Sequence, residues 1–388
     1  MTGLRDELEL LAAEAPTVEL AERALRGARR RRAGAFGSAL AALVTVALSA
    51  TVLTGGSDRN TISTEVTDVL PSSGVDPLSY AYYDWCGQKW QAGKNTGGFA
   101  GKECAQWRVV TRTGQSFRMP EALSVYTEQS GENYMNTAAP VAITPDGRRI
   151  AYYSEKDQKF AVRDLASGRI WLTPQTVSRA TMVSGGGLLR LSPDGRFLGL
   201  NGVGWPNVVV DVESGQATRI PEGWRVQRVP SGGTPVVVAD QRLRFGLLAE
   251  GKVRPFNADA SVTLSELAPD GRTLAYVSGG KSIINGDSES RPNDTVVTVD
   301  ATTGKVLAEV KFRDAPKDFR PQRVGAWHSA TEVTVTSPIL DPSRRGQEDD
   351  TPTLGETTYA IDVTTGQVRK LAAYSYRAWA GELVIPGI

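Results

Sequence analysis

The chain of 388 residues sets 44 Lys and Arg against 43 Asp and Glu, and its formal net charge of +1 argues against nucleic acid as a partner. One histidine, His328, and two cysteines, Cys86 and Cys104, rule out most zinc sites, which take three or four Cys or His ligands, and exclude chemistry built on paired histidines. No Gly-x-Ser-x-Gly elbow is present to recruit His328 into a triad.

Residues 1–32 form a leader with Leu4, Leu8 and Leu11 on one helical stripe and Leu20, Ala24 and Gly27 on a second, interrupted at Pro16. This spacing predicts two short amphipathic helices. Arg23, Arg26 and the run Arg29 to Arg32 close the leader. Two roles fit it: an interfacial helix with its arginines on anionic headgroups, or a docking site for a cytoplasmic protein.

Ala33 to Leu53 is a stretch of 21 residues without a charge, the length of a membrane-spanning helix. With four arginines immediately before it, the positive-inside rule predicts a single-pass anchor over residues 33–54. The N-terminus is then cytoplasmic, and a linker (55–77) and a domain (78–388) are extracytoplasmic. A cleaved secretory signal is the rival, since the small residues around Ala47 to Ala50 resemble a cleavage site; a charged leader of 32 residues is long for one.

Next come Tyr80, Tyr82, Tyr83, Trp85, Trp90 and Trp107, clustered about a Gly-rich loop between Cys86 and Cys104. Export places the two cysteines where a disulfide persists, and a Cys86–Cys104 clamp on the loop is expected. The tryptophans Trp85, Trp90 and Trp107 either pack between strands or offer a binding surface for a protein or glycan.

The rest of the chain repeats. Ala142 to Tyr152, Leu191 to Leu200 and Leu267 to Tyr276 share a frame centred on Pro145-Asp146-Gly147, Pro193-Asp194-Gly195 and Pro269-Asp270-Gly271. Pro sets the first corner of a tight turn, Asp caps it, and Gly takes the positive φ; the alternating apolar residues that follow read as a strand. A second turn, Asp-x-x-[Ser/Thr]-Gly, recurs at Asp164, Asp211, Asp300 and Asp362, with weaker copies at Arg112-Thr113-Gly114 and Ala249-Glu250-Gly251. Six units result. The separations Gly168 to Gly215 and Gly215 to Gly251, 47 and 36 residues, bracket one four-stranded propeller blade.

From Val141 to Leu371 the chain resembles the Pro-Asp-Gly β-propellers of the TolB-like and WD40-like type, which include membrane-anchored bacterial proteins. The resemblance implies an all-β ring of six or seven blades, with five as the lower alternative, serving as a platform for binding. The matching residues build turns and line no site. The fourth unit departs, carrying Ala239-Asp240-Gln241 where the Pro-Asp-Gly turn is expected. The C-terminal Tyr376 to Pro386 is expected to pair with the segment near Tyr80 to Trp85 and close the ring.

Two polar insertions, Ser278 to Asp294 and Ser337 to Gly355, break the strand pattern. The second holds Asp341, Glu348, Asp349 and Asp350 without the alternating ligands of a calcium loop, and Gly279-Gly280-Lys281-Ser282 lacks the first glycine and the helix of a phosphate loop. No metal, cofactor or catalytic residue is assigned. A membrane-anchored binding or sensing module for an envelope protein or glycan is therefore expected, and not an enzyme. The alternatives are an envelope scaffold or a propeller hydrolase acting on envelope carbohydrate.

Overall fold

Each pair of turn signatures marks one antiparallel sheet. The computed structural model describes residues 68–84, 106–123, 125–127, 136–185, 187–242, 244–256, 258, 263–282, 289–340, 353–375 and 383–388. They lie within one unit, Glu65–Ile388.

Six blades follow in chain order, and within each the strands run from the innermost to the outermost. Blade 1 is Leu383–Val384, Leu78–Asp84, Gln106–Thr111 and Ser116–Arg118. Blade 2 is Ala142–Ile143, Arg149–Ser154, Lys159–Asp164 and Ile170–Thr176; blade 3 is Gly187–Leu191, Phe197–Gly202, Val208–Asp211 and Ala217–Arg219. Blade 4 is Trp224–Arg228, Val236–Asp240, Phe245–Ala249 and Lys252–Phe256. Blade 5 has three strands, Thr273–Ser282, Glu289–Asp300 and Val306–Lys311. Its inner position is taken by residues 263–268, which bond to the first strand through Ser265 N to Ala275 O and Ala268 N to Thr273 O, both 2.8 Å. Blade 6 is Arg323–Trp327, Glu332–Leu340, Thr353–Asp362 and Val368–Ser375. The fold is a six-bladed β-propeller, and the blade count settles at the lower of the two numbers preferred from sequence.

The middle strands are apolar on both faces because a neighbouring blade covers each face. Val236, Val237, Val238 and Ala239 are all buried, whereas the outer Ile170–Thr176 strand alternates between exposed and covered positions. The period of two sorts neighbours to different junctions. Tyr152 and Ile150 pack toward blade 1, while Tyr153 and Ala151 pack toward blade 3. Among the described residues, five apolar clusters fill the junctions 1–2, 2–3, 3–4, 4–5 and 5–6.

The turns carry the chemistry read from the sequence. Gly147, Gly195 and Gly271 donate their N–H to the carbonyls of Thr144, Ser192 and Ala268 at 2.8 Å, with φ of 76°, 71° and 67°. Asp146, Asp194 and Asp270 accept the backbone N–H of the residue two places on. In the second signature, Asp164, Asp211, Asp300 and Asp362 close their turns with the N–H of Gly168, Gly215, Gly304 and Gly366.

Blade 4 corrects the sequence reading. Asp240 does cap a turn, accepting from Arg242 N and Arg244 N at 2.9 Å, but that turn joins the second and third strands. The Pro-Asp-Gly equivalent is Pro230-Ser231-Gly232-Gly233, where Gly233 N bonds Pro230 O at 2.8 Å. The polar insertions are also less disruptive than their composition suggested. Strand pairing runs on past Ser278 to Ser282↔Glu289, after a bulge, and from Ser337↔Thr357 to Leu340↔Thr353. Asp341, Glu348, Asp349 and Asp350 lie outside the described residues.

Ring closure follows expectation. The C-terminal strand pairs with the second strand of blade 1 through Ala81↔Val384 and Tyr82↔Leu383. Beyond it Gly387 donates to Ile143 O of blade 2 at 3.1 Å and accepts from Ala326 N of blade 6 at 2.8 Å. The chain's first described residues, 68–77, run beside the outer strand of blade 1, with Leu70 N on Arg118 O at 2.8 Å. The leader, the segment 33–54 and Cys86 and Cys104 lie outside the described residues; among those described, no helix is long and apolar enough to cross a membrane.

Candidate functional site

The inner strands bring together charged side chains that lie far apart in sequence. Arg228, the last residue of blade 4's inner strand, is 8% exposed. Its Nε donates to Leu264 O of blade 5 at 2.9 Å and its Nη2 to Val324 O of blade 6 at 2.7 Å, so one guanidinium ties three blades together. Glu266, also 8% exposed, holds Oε1 3.7 Å from Arg228 Nε while Oε2 is buried without a hydrogen-bond partner. Arg190, on blade 3's inner strand, is half-buried, and its Nε is likewise buried and unpartnered. Arg323 opens blade 6 and places Nη2 2.7 Å from Glu356 Oε1, with Oε2 also in reach.

Further hydrogen bonds knit this region across blades. Glu266 N donates to Gly325 O at 3.2 Å, Val324 N to Thr263 Oγ1 at 3.1 Å, and Trp327 Nε1 to Glu266 O at 2.8 Å. The charged groups are therefore held on a rigid frame.

Their protonation reflects the shared burial. Desolvation pushes the Glu266 carboxyl up to about 7 against the pull of Arg228 and Arg190. Desolvation, then the like charge of Arg228, brings Arg190 down to about 9, with Glu266 opposing and Arg323 adding to the fall. Arg228 is lowered first by desolvation, which Glu266 opposes and Arg323 reinforces. Among the described residues the region thus gathers three guanidiniums against two carboxylates.

A concavity sits at junction 6–1, a cavity of about 220 Å³ lined by Arg112, Trp327, His328, Thr334, Thr358, Tyr374 and the tail residues Ile385 and Pro386, among others. His328 belongs to the turn after blade 6's inner strand, with its N–H on Glu332 O at 2.8 Å. Burial lowers its pKa, with Glu332 opposing and Arg369 adding to the fall.

Of the aromatic residues singled out in the sequence, Trp85 and Trp90 lie outside the described residues. Trp107 is fully enclosed: its Nε1 donates to Ala139 O at 3.0 Å and its ring meets Tyr83 edge-on, with centroids 5.6 Å apart. It packs in the core of junction 1–2 and presents no surface. Among the described residues no three His, Cys, Asp or Glu side chains gather where they could hold a metal. Sequence reasoning passed over the inner-strand arginines. Their local signal is slight, an arginine within each of the short strands Gly187–Leu191 and Trp224–Arg228.

Comparisons bear on the fold alone. No family model matches the chain, and no curated protein matches it. Among solved structures it is similar to TolB from Acinetobacter baumannii, at 16% identity and a TM-score of 0.41, covering 81% of this chain and 67% of that one. A putative TolB from Agrobacterium tumefaciens gives 13% and 0.40, covering 63% and 84%. Hydrazine synthase from Kuenenia stuttgartiensis gives 17% and 0.37, covering 62% and 67%.

Proposed function

We propose that this chain is a membrane-anchored, extracytoplasmic binding module whose propeller holds a protein or ligand at its inner strands. Residues 33–54 span the membrane and leave the leader in the cytoplasm, where it docks a protein partner. The observation that carries the reading is the placement of Arg190, Arg228 and Glu266. They are charged, buried in the case of Arg228 and Glu266 and half-buried in that of Arg190, and stand at the inner positions of three successive blades, where they cap no turn and join none of the apolar clusters between blades. A ring that gathers buried charge on its inner strands is built to meet something there.

The test uses the full chain in its native membrane, with a photo-crosslinking amino acid at Gln227 on blade 4's inner strand or at Glu309 on blade 5's outer strand. A discrete adduct from Gln227 and none from Glu309 supports the reading. Adducts from Glu309 alone would make the molecule a scaffold that is gripped at its rim. Protease added to intact spheroplasts should digest the propeller; protection until lysis would overturn the topology.

A further inference from the structure

If the inner strands hold the ligand, as proposed, their charge balance points to its class. Of the five charged groups there, Arg323 and Glu356 satisfy each other through two contacts. Arg228 places two donors on backbone carbonyls and faces Glu266 at 3.7 Å. Arg190 is left over. Its Nε is buried with no acceptor, and its charge has no carboxylate of its own.

Buried donors are almost always bonded in folded proteins, and an exception calls for an explanation such as a missing partner. A guanidinium is also the group whose planar fork matches a carboxylate. We propose that Arg190, flanked by Arg228, is the receptor for a carboxylate group of a ligand that enters along the propeller axis. The surplus at this place is one positive charge, which one carboxylate cancels. The unpartnered Glu266 Oε2 beside it disfavours a dianion such as phosphate, and accepts a donor carried next to the ligand's carboxylate.

Placement supports the assignment. Arg190 stands opposite Gly199 in the strand pairing of blade 3. A Cβ at Gly199 would come within 2.7 Å of Val226 and 3.3 Å of Arg190's own Cβ, so the missing side chain lets the stem of Arg190 lie against blade 4, two residues from Arg228.

The probe is acetate, with acetamide as its neutral isostere and inorganic phosphate as the dianion. The readout is the melting temperature of the full chain in detergent, at pH 8 and constant ionic strength. Acetate should raise it saturably and acetamide should not. Arg190→Gln should weaken the acetate response by at least about tenfold, and Arg190→Lys should retain part of it. Because an added anion beside Glu266 favours its protonated form, acetate binding at pH 7 should take up protons, seen as a dependence of calorimetric heat on buffer. A role of Arg190 in folding alone would produce no such signal.

A response unchanged in Arg190→Gln, no response at all, or a stronger one to phosphate would overturn the carboxylate assignment. An adduct at Gln227 in the same preparation would show that the binding-module reading survives that failure.

Discussion

Arg196 grips Asp211 at two points, Nε to Oδ1 at 3.2 Å and Nη2 to Oδ2 at 2.7 Å. The contact joins the two repeated signatures: Arg196 follows the Pro-Asp-Gly turn of blade 3, and Asp211 opens the Asp-x-x-Ser-Gly turn two strands later. Arg272 and Asp300 repeat the arrangement in blade 5. One carboxylate thus accepts from its own turn and from the neighbouring turn's arginine.

That division of labour makes the two partners unequal. Arg196 is 46% exposed and screened by solvent, so Arg196→Ala should cost little. Asp211→Ala also strips acceptors from Glu213 N and Ser214 N and should cost about 2 kcal/mol, measured by urea unfolding. Arg196 first, and then the turn bonds, hold the Asp211 carboxyl down to about 2 despite burial. Its folded pKa lies below the ordinary 3.8, so its stabilisation is present above that value and fades as pH falls toward 2. The acid limb of the stability curve should flatten in Asp211→Ala; an unchanged limb would refute the assignment.

Two turn glycines with nearly the same φ should respond differently to alanine. Gly215 has φ of 75° and open space where a Cβ would go, so Gly215→Ala should cost only the left-handed conformation, about 1 kcal/mol. Gly147, at φ of 76°, has the carbonyl of Leu78 in that place, and its own carbonyl accepts Leu78 N at 2.8 Å across the junction to blade 1. Gly147→Ala should cost about 3 kcal/mol or more. Equal losses in thermal unfolding would show that the approach of Leu78 relaxes freely.

These contrasts show which parts of the molecule were legible in the sequence. Turns were, because a positive φ and a capped backbone require Gly and Asp at fixed places within a few residues. Asp240 misled for the same reason: its capping bonds are those of the signature, and nothing local tells which pair of strands a turn joins. The inner-strand site was illegible because its contacts are long-range. Arg228 and the Val324 carbonyl are brought together only by the ring, and an arginine at the end of a short strand reads as a solvated edge. Trp107 shows the same limit, since a tryptophan near a Gly-rich loop fits packing or a binding surface alike until the Ala139 carbonyl takes its N–H and decides for packing.

Glu266 should leave a mark on stability near neutrality. Its folded pKa, about 7, lies above the ordinary 4.5, so the stabilisation it contributes is complete below about 4.5 and is lost as pH rises toward 7. The charges facing it are Arg228 and Arg190, which oppose the shift. Between pH 5 and 7.5 the native chain should lose on the order of 3 kcal/mol relative to Glu266→Gln. Parallel curves for the two proteins would place Glu266 in contact with water.

Closure of the ring rests on few residues. Two residue pairs, Ala81↔Val384 and Tyr82↔Leu383, and the bonds of Gly387 to blades 2 and 6 hold the tail. Leu383 and Ile385 bury nearly all of their surface, at 5% and 3% exposed, and their loss should cost about 4 kcal/mol. Deleting residues 383–388 would also uncover the strand Leu78–Asp84 along a hydrogen-bonding edge, with Leu78, Ala81 and Tyr83 buried beside it. Such an edge pairs with another copy of itself. The truncated chain should therefore melt earlier and elute as a larger species in detergent, and more so as concentration rises. A monomer with an unchanged melting temperature would mean that junction 6–1, which holds the 220 Å³ cavity, closes without its strap.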